Sequence, residues 1–132
     1  MTRGVKPAIT PASNPVSSVP KAPAYLSKEA KAEWRHVASI LVNERKVLTE
    51  ADKAALENYV ISVATMRQAH RELQATGLLI GGKRNPISTI LTQAQQQQLR
   101  AAGELGLTPA ARGRAAMMEA ADDDSDNPLK VH

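Results

Sequence analysis

The longest helix of this protein is predicted by residues 47–77, VLTEADKAALENYVISVATMRQAHRELQATG. Thr49–Asp52 has the spacing of a capping box, which marks a helix start, and Gly77 suits the residue that ends a helix. Between these limits apolar side chains recur at three- and four-residue steps. The resulting stripe comprises Ala55, Leu56, Tyr59, Val60, Val63, Met66, His70 and Leu73. At 1.5 Å per residue the helix would be about 40 Å long, so its stripe needs another helix to pack against.

A second long helix is predicted to fold back on the first. Asn85 and Pro86 mark its start, because Asn caps the first turn and Pro needs no amide hydrogen there; Gly106 suits its end. Its apolar residues are Ile87, Ile90, Leu91, Ala94, Leu99, Ala102 and Leu105. The stripe is interrupted at Gln95–Gln98, which we expect to be exposed or packed against another chain. The connection holds an apolar run too short to be a helix, Leu78–Ile80, and then a flexible basic turn, Gly81–Arg84.

Shorter elements flank the hairpin. Ser27 caps a first helix that should reach about Asn43, and Trp34 lies on its apolar stripe as a core anchor. Thr108 and Pro109 open a last helix to about residue 120. The predicted fold is all-α: a long antiparallel helical hairpin with an N-terminal helix, a short C-terminal helix, a disordered N-terminal arm and an acidic C-terminal tail. The predicted boundaries are 1–24 for the Pro-rich arm, 25–106 for the helical core and oligomerisation domain, 107–121 for the short helix and 122–132 for the tail.

Composition limits the core that this fold can build. The chain has 132 residues, no Phe, one Trp and two Tyr, so each buried side chain removes little apolar area from water. We therefore expect copies of the chain to associate with each other or with a partner. The helical stripes are the predicted contact, and the alternative is that they pack only within one chain. The candidate oligomerisation residues are Leu56, Tyr59, Val60, Val63, Met66, Leu73, Ile87, Ile90, Leu91 and Leu99.

Charge is distributed unevenly along the chain. Residues 1–118 have a net charge of +8, whereas residues 119–132 have a net charge of −4. A basic body favours binding to polyanions, because bound cations release the counterions of nucleic acid. The acidic end could cover that basic surface or meet another basic partner. The simpler alternative is that both charge blocks only keep the protein soluble.

No residue pattern in the sequence indicates catalysis. Cys is absent, which excludes thiolate chemistry and fits a reducing compartment, with the cytoplasm as the default location. The three His residues lack metal-ligand spacing, and the aspartates at 122–126 lack the Gly and distant Glu of a calcium loop. Gly77–Lys83 resembles a phosphate-binding loop only superficially, since Arg84 replaces the required Ser or Thr. The sequence thus predicts a protein that is not an enzyme, has no cofactor or metal, and lacks the apolar run of a membrane span.

Two basic groups are candidates for contacts with double-stranded DNA. The first is the tip between the long helices, where Lys83 and Arg84 stand in a stretch without acids from Glu72 to Glu104, and Asn85 could read a base. The Pro-rich arm, with Arg3, Lys6 and Lys21, could assist it. The second group lies on one face of the first helix, where an ordinary solvated surface is equally compatible with the pattern. Its residues are Lys28, Lys31 and Arg35.

The order of these signals resembles the phage terminase small-subunit family over about residues 20–115. The resemblance is carried by Pro23, Tyr25-Leu26-Ser27, Glu33-Trp34, Leu48–Asp52, Leu56, Tyr59, Gly77-Leu78, Asn85-Pro86 and Leu105–Arg112. It implies a non-catalytic protein that assembles as a ring, recognises the packaging start on viral DNA, and recruits the large subunit, which holds the ATPase and nuclease. No compact helix-turn-helix with a clearly basic recognition helix is visible in the sequence, and on this point the chain departs from what the resemblance implies.

Under this resemblance the segment from Thr108 onward becomes the candidate for docking the large subunit. The residues concerned are Arg112, Arg114, Met117 and Met118. Two other functions remain compatible with the sequence alone. A transcription regulator would share the basic helices but should form a compact dimer, and a protein-only scaffold would carry its positive charge incidentally.

Overall fold

The computed structural model describes residues 14–126, in which four α-helices and one two-stranded ribbon are present. The helices are α1 (Lys28–Ser39), α2 (Lys53–Thr76), α3 (Ile87–Glu104) and α4 (Pro109–Asp126). A π-helical turn, Ile40–Glu44, continues α1, and a 3-10 turn, Glu50–Asp52, leads into α2. Strands β1 (Leu79–Ile80) and β2 (Lys83–Arg84) join α2 to α3. The predicted all-α class, built on a long helical hairpin, is confirmed.

The hairpin of α2 and α3 starts where the local sequence signals indicated. At the N-terminal end of α2, the Asp52 carboxylate accepts hydrogen bonds from the Thr49 amide at 3.0 Å and from the Thr49 hydroxyl at 2.9 Å. This confirms the predicted capping box, which begins as a 3-10 turn before α2 itself. Gly77, with φ of 91°, ends α2, and Gly106, with φ of 70°, follows α3. Both glycines adopt a backbone region that side chains disfavour.

The core lies where α1 packs across the first half of α2. Trp34 is its largest member, with 2% of its surface exposed, and its indole N–H donates to the Pro20 carbonyl at 2.8 Å. The prediction that Trp34 is a core anchor is confirmed. The remaining members of this cluster are Leu26, Ala30, Val37, Ala38, Leu41, Val42, Leu48, Leu56, Val60 and Leu105.

Part of the predicted disordered arm lies on this core. The Val16 amide donates to the Leu48 carbonyl at 2.8 Å, and Val16, Val19 and Ala22 pack against the buried cluster. Residues 14–24 therefore differ from the prediction, because small apolar side chains between the prolines cover Trp34 and its neighbours. Residues 1–13, which include Arg3 and Lys6, lie outside the described residues.

Helix α4 is attached to the core mainly at its first turns. The Arg45 guanidinium donates to the Gly106 carbonyl at 2.6 Å, and Thr108 caps the helix by accepting from the Ala111 amide at 3.1 Å. Ala111 is buried, whereas residues 112–118 are exposed. The helix continues to Asp126, past the predicted end near residue 120.

Candidate nucleic-acid interface

The tip of the hairpin is a β-ribbon of two residue pairs. Leu79 pairs with Arg84 and Ile80 with Lys83, in antiparallel register. Gly81 and Gly82 form the two-residue turn with φ of 60° and 78°. Positive φ at both central residues is the requirement of a type I′ turn, which glycine meets without strain and which suits the twist of a β-hairpin. The flexible basic turn predicted from the sequence is thus a turn of two glycines followed by a basic strand.

Lys83 and Arg84 are both exposed on this ribbon. The Arg84 side chain is held near its guanidinium end, because its Nε donates to the Ser88 hydroxyl at 2.8 Å. No Asp or Glu occurs between Glu72 and Glu104, so nothing along this stretch of chain neutralises the two cations. The ribbon therefore presents positive charge at the end of the hairpin.

Asn85 does not belong to the exposed surface, which corrects its assignment as a base-reading residue. Its side chain is fully buried, and its amide Nδ2 donates to the Thr76 hydroxyl and to the Gly77 carbonyl, both at 2.8 Å. Its Oδ1 accepts from the Ile87 amide at 3.0 Å, as predicted for a cap of α3. Asn85 thus fastens the end of α2 to the start of α3 and has no side-chain group left for DNA.

Two ion pairs join α1 to the second half of α2. The Arg71 guanidinium bonds to the Glu29 carboxylate at 3.0 Å, and Arg67 lies 3.4 Å from the Glu33 carboxylate. The hydrogen bond from Arg71 holds the pKa of the Glu29 carboxyl below its ordinary value, and the Glu29 carboxylate raises the pKa of Arg71. Each of the two acids on α1 is therefore paired with an arginine of α2. This pairing reduces how much the acids neutralise the positive charge of the neighbouring lysines.

These pairs also fix where the cations of α1 lie. Glu29, at the start of α1, pairs with Arg71, which is five residues before the end of α2. At 1.5 Å of rise per residue, the start of α1 therefore lies about 8 Å from the end of α2, measured along the α2 axis. Lys28, which is exposed, is thus at the same end of the hairpin as the tip. Lys31 is half-buried, Arg35 lies one turn farther along α1, and Lys21 is exposed next to the Pro20 that bonds to Trp34. The tertiary fold thus places the start of α1, with Lys28, toward the tip end of α2, although the two segments are far apart in the sequence.

Neither a metal centre nor a membrane helix is found among residues 14–126. No group of three or more His, Asp or Glu side chains there could hold a metal ion. None of the helices in this part of the chain is both long and apolar enough to cross a membrane.

A sequence model of the family described as phage terminase, small subunit, matches residues 30–122. The match covers more than half of the chain, including most of α1, the hairpin, the tip and most of α4. The chain belongs to the phage terminase small-subunit family. Neither the curated proteins nor the solved structures gave a match.

Membership of the terminase family gives this chain a role in phage DNA packaging. The family is generally non-catalytic, which agrees with the sequence pattern. The predicted resemblance to terminase small subunits is confirmed.

The predicted oligomerisation residues of this terminase chain divide into three groups. Leu56, Val60, Val63 and Leu73 are buried inside the single chain, so their assignment to contacts between copies is corrected: packing of α2 against α1 and α3 already covers them. Ile90 and Leu99, by contrast, are 47% and 63% exposed. The half-buried group comprises Tyr59, Met66, Ile87 and Leu91.

The predicted docking residues of α4 are all exposed. Met117 and Met118 expose 73% and 70% of their surface, and Arg114 is also exposed. The Arg112 guanidinium donates to the Leu107 carbonyl at 2.8 Å, so it also ties α4 to the preceding turn.

Sequence reasoning missed two exposed apolar features. The sequence marks Leu78, Leu79 and Ile80 only as a short apolar run, and the structure exposes all three at the tip. Ile61 was left out of the apolar stripe of α2, and it lies with Ile90 beside an open groove between the two long helices. The flanking glycines signalled the first feature, since an apolar run beside a tight turn has little structure to pack against.

Proposed function

We propose that this chain is the DNA-recognition subunit of a phage packaging motor, acting in the host-cell cytoplasm as an oligomer that binds double-stranded DNA and recruits the large subunit. The observation that carries the proposal is the ribbon tip, where Lys83 and Arg84 are exposed in a stretch of chain without acids. The start of α1, with Lys28, lies at the same end of the hairpin. A concentrated cationic end on an otherwise mixed surface is what binding to phosphates requires.

The contacts proposed for the tip are with the DNA backbone. Lysine and arginine bind phosphate oxygens through charged hydrogen bonds that position a protein without reading sequence. The bond from Arg84 Nε to Ser88 leaves the terminal guanidinium nitrogens available for a phosphate. Lys21, Lys28, Lys31 and Arg35 extend this contact, and Arg3 and Lys6 would add to it from outside the described residues.

Charge reversal at the tip tests this assignment. We expect the double variant Lys83→Glu with Arg84→Glu to bind duplex DNA about 50-fold more weakly at about 0.1 M salt, because two phosphate contacts are lost. The slope of log affinity against log salt should fall by about 2 for each chain that contacts DNA. Fluorescence anisotropy with a labelled duplex over a salt series measures both quantities.

Lys46→Glu with Arg100→Glu provides the matched control for that experiment. Both residues are exposed, and both lie at the end of the hairpin opposite to the tip. This control changes the net charge by the same amount, so it separates a local contact from a general charge effect. Equal losses in the two double variants, or an unchanged salt slope in the tip variant, would remove the tip from the interface.

Assembly is proposed to use the surfaces of the hairpin that the chain leaves uncovered. Ile61 and Ile90 lie together on one side of α2 and α3, whereas Met66 and Leu91 line an open groove with Arg67, His70 and Arg71. Two different apolar surfaces on one hairpin suit a heterologous contact, in which one surface of a copy meets the other surface of the next. Contacts of that kind close into rings when the rotation permits. The proposal requires a native mass that is several times the mass of one chain. Light scattering of the samples used for DNA binding measures that mass.

Docking of the large subunit is proposed for the exposed part of α4. Met117 and Met118 form a flexible, polarisable apolar pair on a helix that is attached to the core mainly at its first turns. We expect Met117→Asp with Met118→Asp to weaken capture of the large subunit at least tenfold, because charge would enter an apolar contact. The native mass and DNA affinity of this variant should stay unchanged. Full capture by the variant in a pull-down with purified large subunit would contradict the assignment.

A further inference from the structure

Three consecutive large aliphatic side chains are exposed at the tip. Leu78 exposes 69%, Leu79 64% and Ile80 51% of its surface. No other run of three such exposed side chains occurs among residues 14–126. Contiguous exposed apolar surface on a small protein usually marks a contact with another molecule.

The ribbon holds these side chains away from the body of the protein. The Asn85 amide donates to the Leu78 carbonyl at 2.9 Å, and the Asn85 side chain bonds to Thr76 and Gly77 behind it. The run is therefore anchored at its base by buried hydrogen bonds, and the type I′ turn fixes its far end. These backbone constraints at both ends of the ribbon keep Leu78, Leu79 and Ile80 exposed.

Each face of the ribbon combines an apolar side chain with a cation. Paired residues in an antiparallel ribbon point to the same face, so Leu79 shares a face with Arg84 and Ile80 shares the opposite face with Lys83. The end between them is narrow, because Gly81 and Gly82 carry no side chains. The tip thus ends in two glycines, and each of its two faces carries one aliphatic side chain beside one cation.

We propose that the tip enters a groove of DNA and wedges Leu79 and Ile80 against a base step, while Lys83 and Arg84 hold the phosphates on the two sides of that groove. Proteins that bend DNA insert aliphatic or aromatic side chains between base pairs and hold the backbone with basic residues. A protein partner would meet the same apolar run, but the cations on both faces and the absence of acids in the chain between Glu72 and Glu104 favour a polyanion. This inference rests on the proposed function, since it specifies how the same tip contacts DNA.

The test measures DNA bending and affinity together. The probe is a duplex of about 30 base pairs with dyes at both ends and 2-aminopurine at a single central TA step, a step that kinks easily. The wild-type protein should raise energy transfer between the dyes and increase 2-aminopurine fluorescence through unstacking. Leu79→Ser with Ile80→Ser should abolish both signals and weaken binding about tenfold, with the salt slope unchanged. Val47→Ser, an exposed aliphatic at the opposite end of the hairpin, is the control, and circular dichroism checks the fold of each variant.

The outcomes separate this inference from the proposed function. Wild-type protein that binds through Lys83 and Arg84 but leaves the duplex straight and stacked overturns the wedge alone. A fall in native mass in Leu79→Ser with Ile80→Ser, with bending retained, assigns the apolar run to contacts between protein copies and also overturns it. Binding that is indifferent to Lys83→Glu with Arg84→Glu removes the tip from the interface altogether, and the proposed function loses its main support.

Discussion

Trp34→Ala is expected to lower the free energy of unfolding by about 4 kcal/mol, which is a large part of the total stability of a domain of this size. Trp34 is 2% exposed and lies where α1, α2 and residues 16–22 meet. Its removal leaves a cavity, because the other members of the core are Ala, Val and Leu side chains, which are too small to fill the space of an indole ring. The Pro20 carbonyl would also lose the indole N–H that it accepts. Urea unfolding followed by circular dichroism measures the change.

Two further variants separate packing from hydrogen bonding at this position. Trp34→Phe keeps an aromatic ring but removes the donor to Pro20, so we expect a smaller loss of about 2 kcal/mol. Tyr25→Ala removes an aromatic side chain that is 67% exposed, and it should cost less than about 1 kcal/mol although its hydroxyl bonds to Glu57. A loss at Tyr25 as large as that at Trp34 would contradict the placement of the core.

The second large effect is expected at the junction of the hairpin. Asn85→Ala should cost about 3 kcal/mol, because it removes three hydrogen bonds from a fully buried side chain. The Gly77 carbonyl and the Ile87 amide would then lose their partner, and α3 would lose its cap. The same urea measurement, with hydrogen exchange of the tip amides, tests this effect. The hydrogen-exchange rate should rise first at the amides of the ribbon, because the Asn85 side chain bonds to Thr76 and Gly77 directly before it.

Asn85→Asp and Asn58→Ala are informative comparisons for that result. Asp keeps the oxygen that caps Ile87 but loses the donor to Thr76 and Gly77, so its cost reflects the link to α2. Asn58 is exposed on α2, and its replacement by Ala should be neutral or slightly stabilising because Ala is the better helix former. Equal stabilities of Asn85→Ala and wild type would show that the junction does not depend on this side chain.

Local signals in the sequence predicted the helices well because their causes are local. The capping box at Thr49–Asp52, the Asn85 cap and the glycines at 77 and 106 each act through backbone groups only a few residues away. The apolar stripe of α2 predicted its buried side for the same reason, since helical geometry alone places residues three and four apart on one face. The family was also recognised from the order of these signals, and the match over residues 30–122 confirmed it.

What covers each stripe was decided only by the tertiary structure. By their spacing Leu56, Val60 and Leu73 are equally suited to contacts between copies, but the fold buries them inside one chain. Residues 14–24 read as a free arm because their prolines exclude helix, yet they cover Trp34. A pattern of apolar residues shows that a surface needs a partner, but it does not identify the partner.

The candidate DNA interface shows the same division. The sequence alone predicted a basic tip, Lys83 and Arg84, between two long helices that each end at a glycine. The periodicity of those helices also predicted that the tip lies at one end of a hairpin. Only the tertiary structure buried Asn85, exposed Leu79 and Ile80, and set Lys28 at the same end through the pair of Glu29 with Arg71. The physical reason is that caps and periodicity depend on neighbours within a few residues. Burial and charge pairing depend instead on groups that are tens of residues apart until the chain folds.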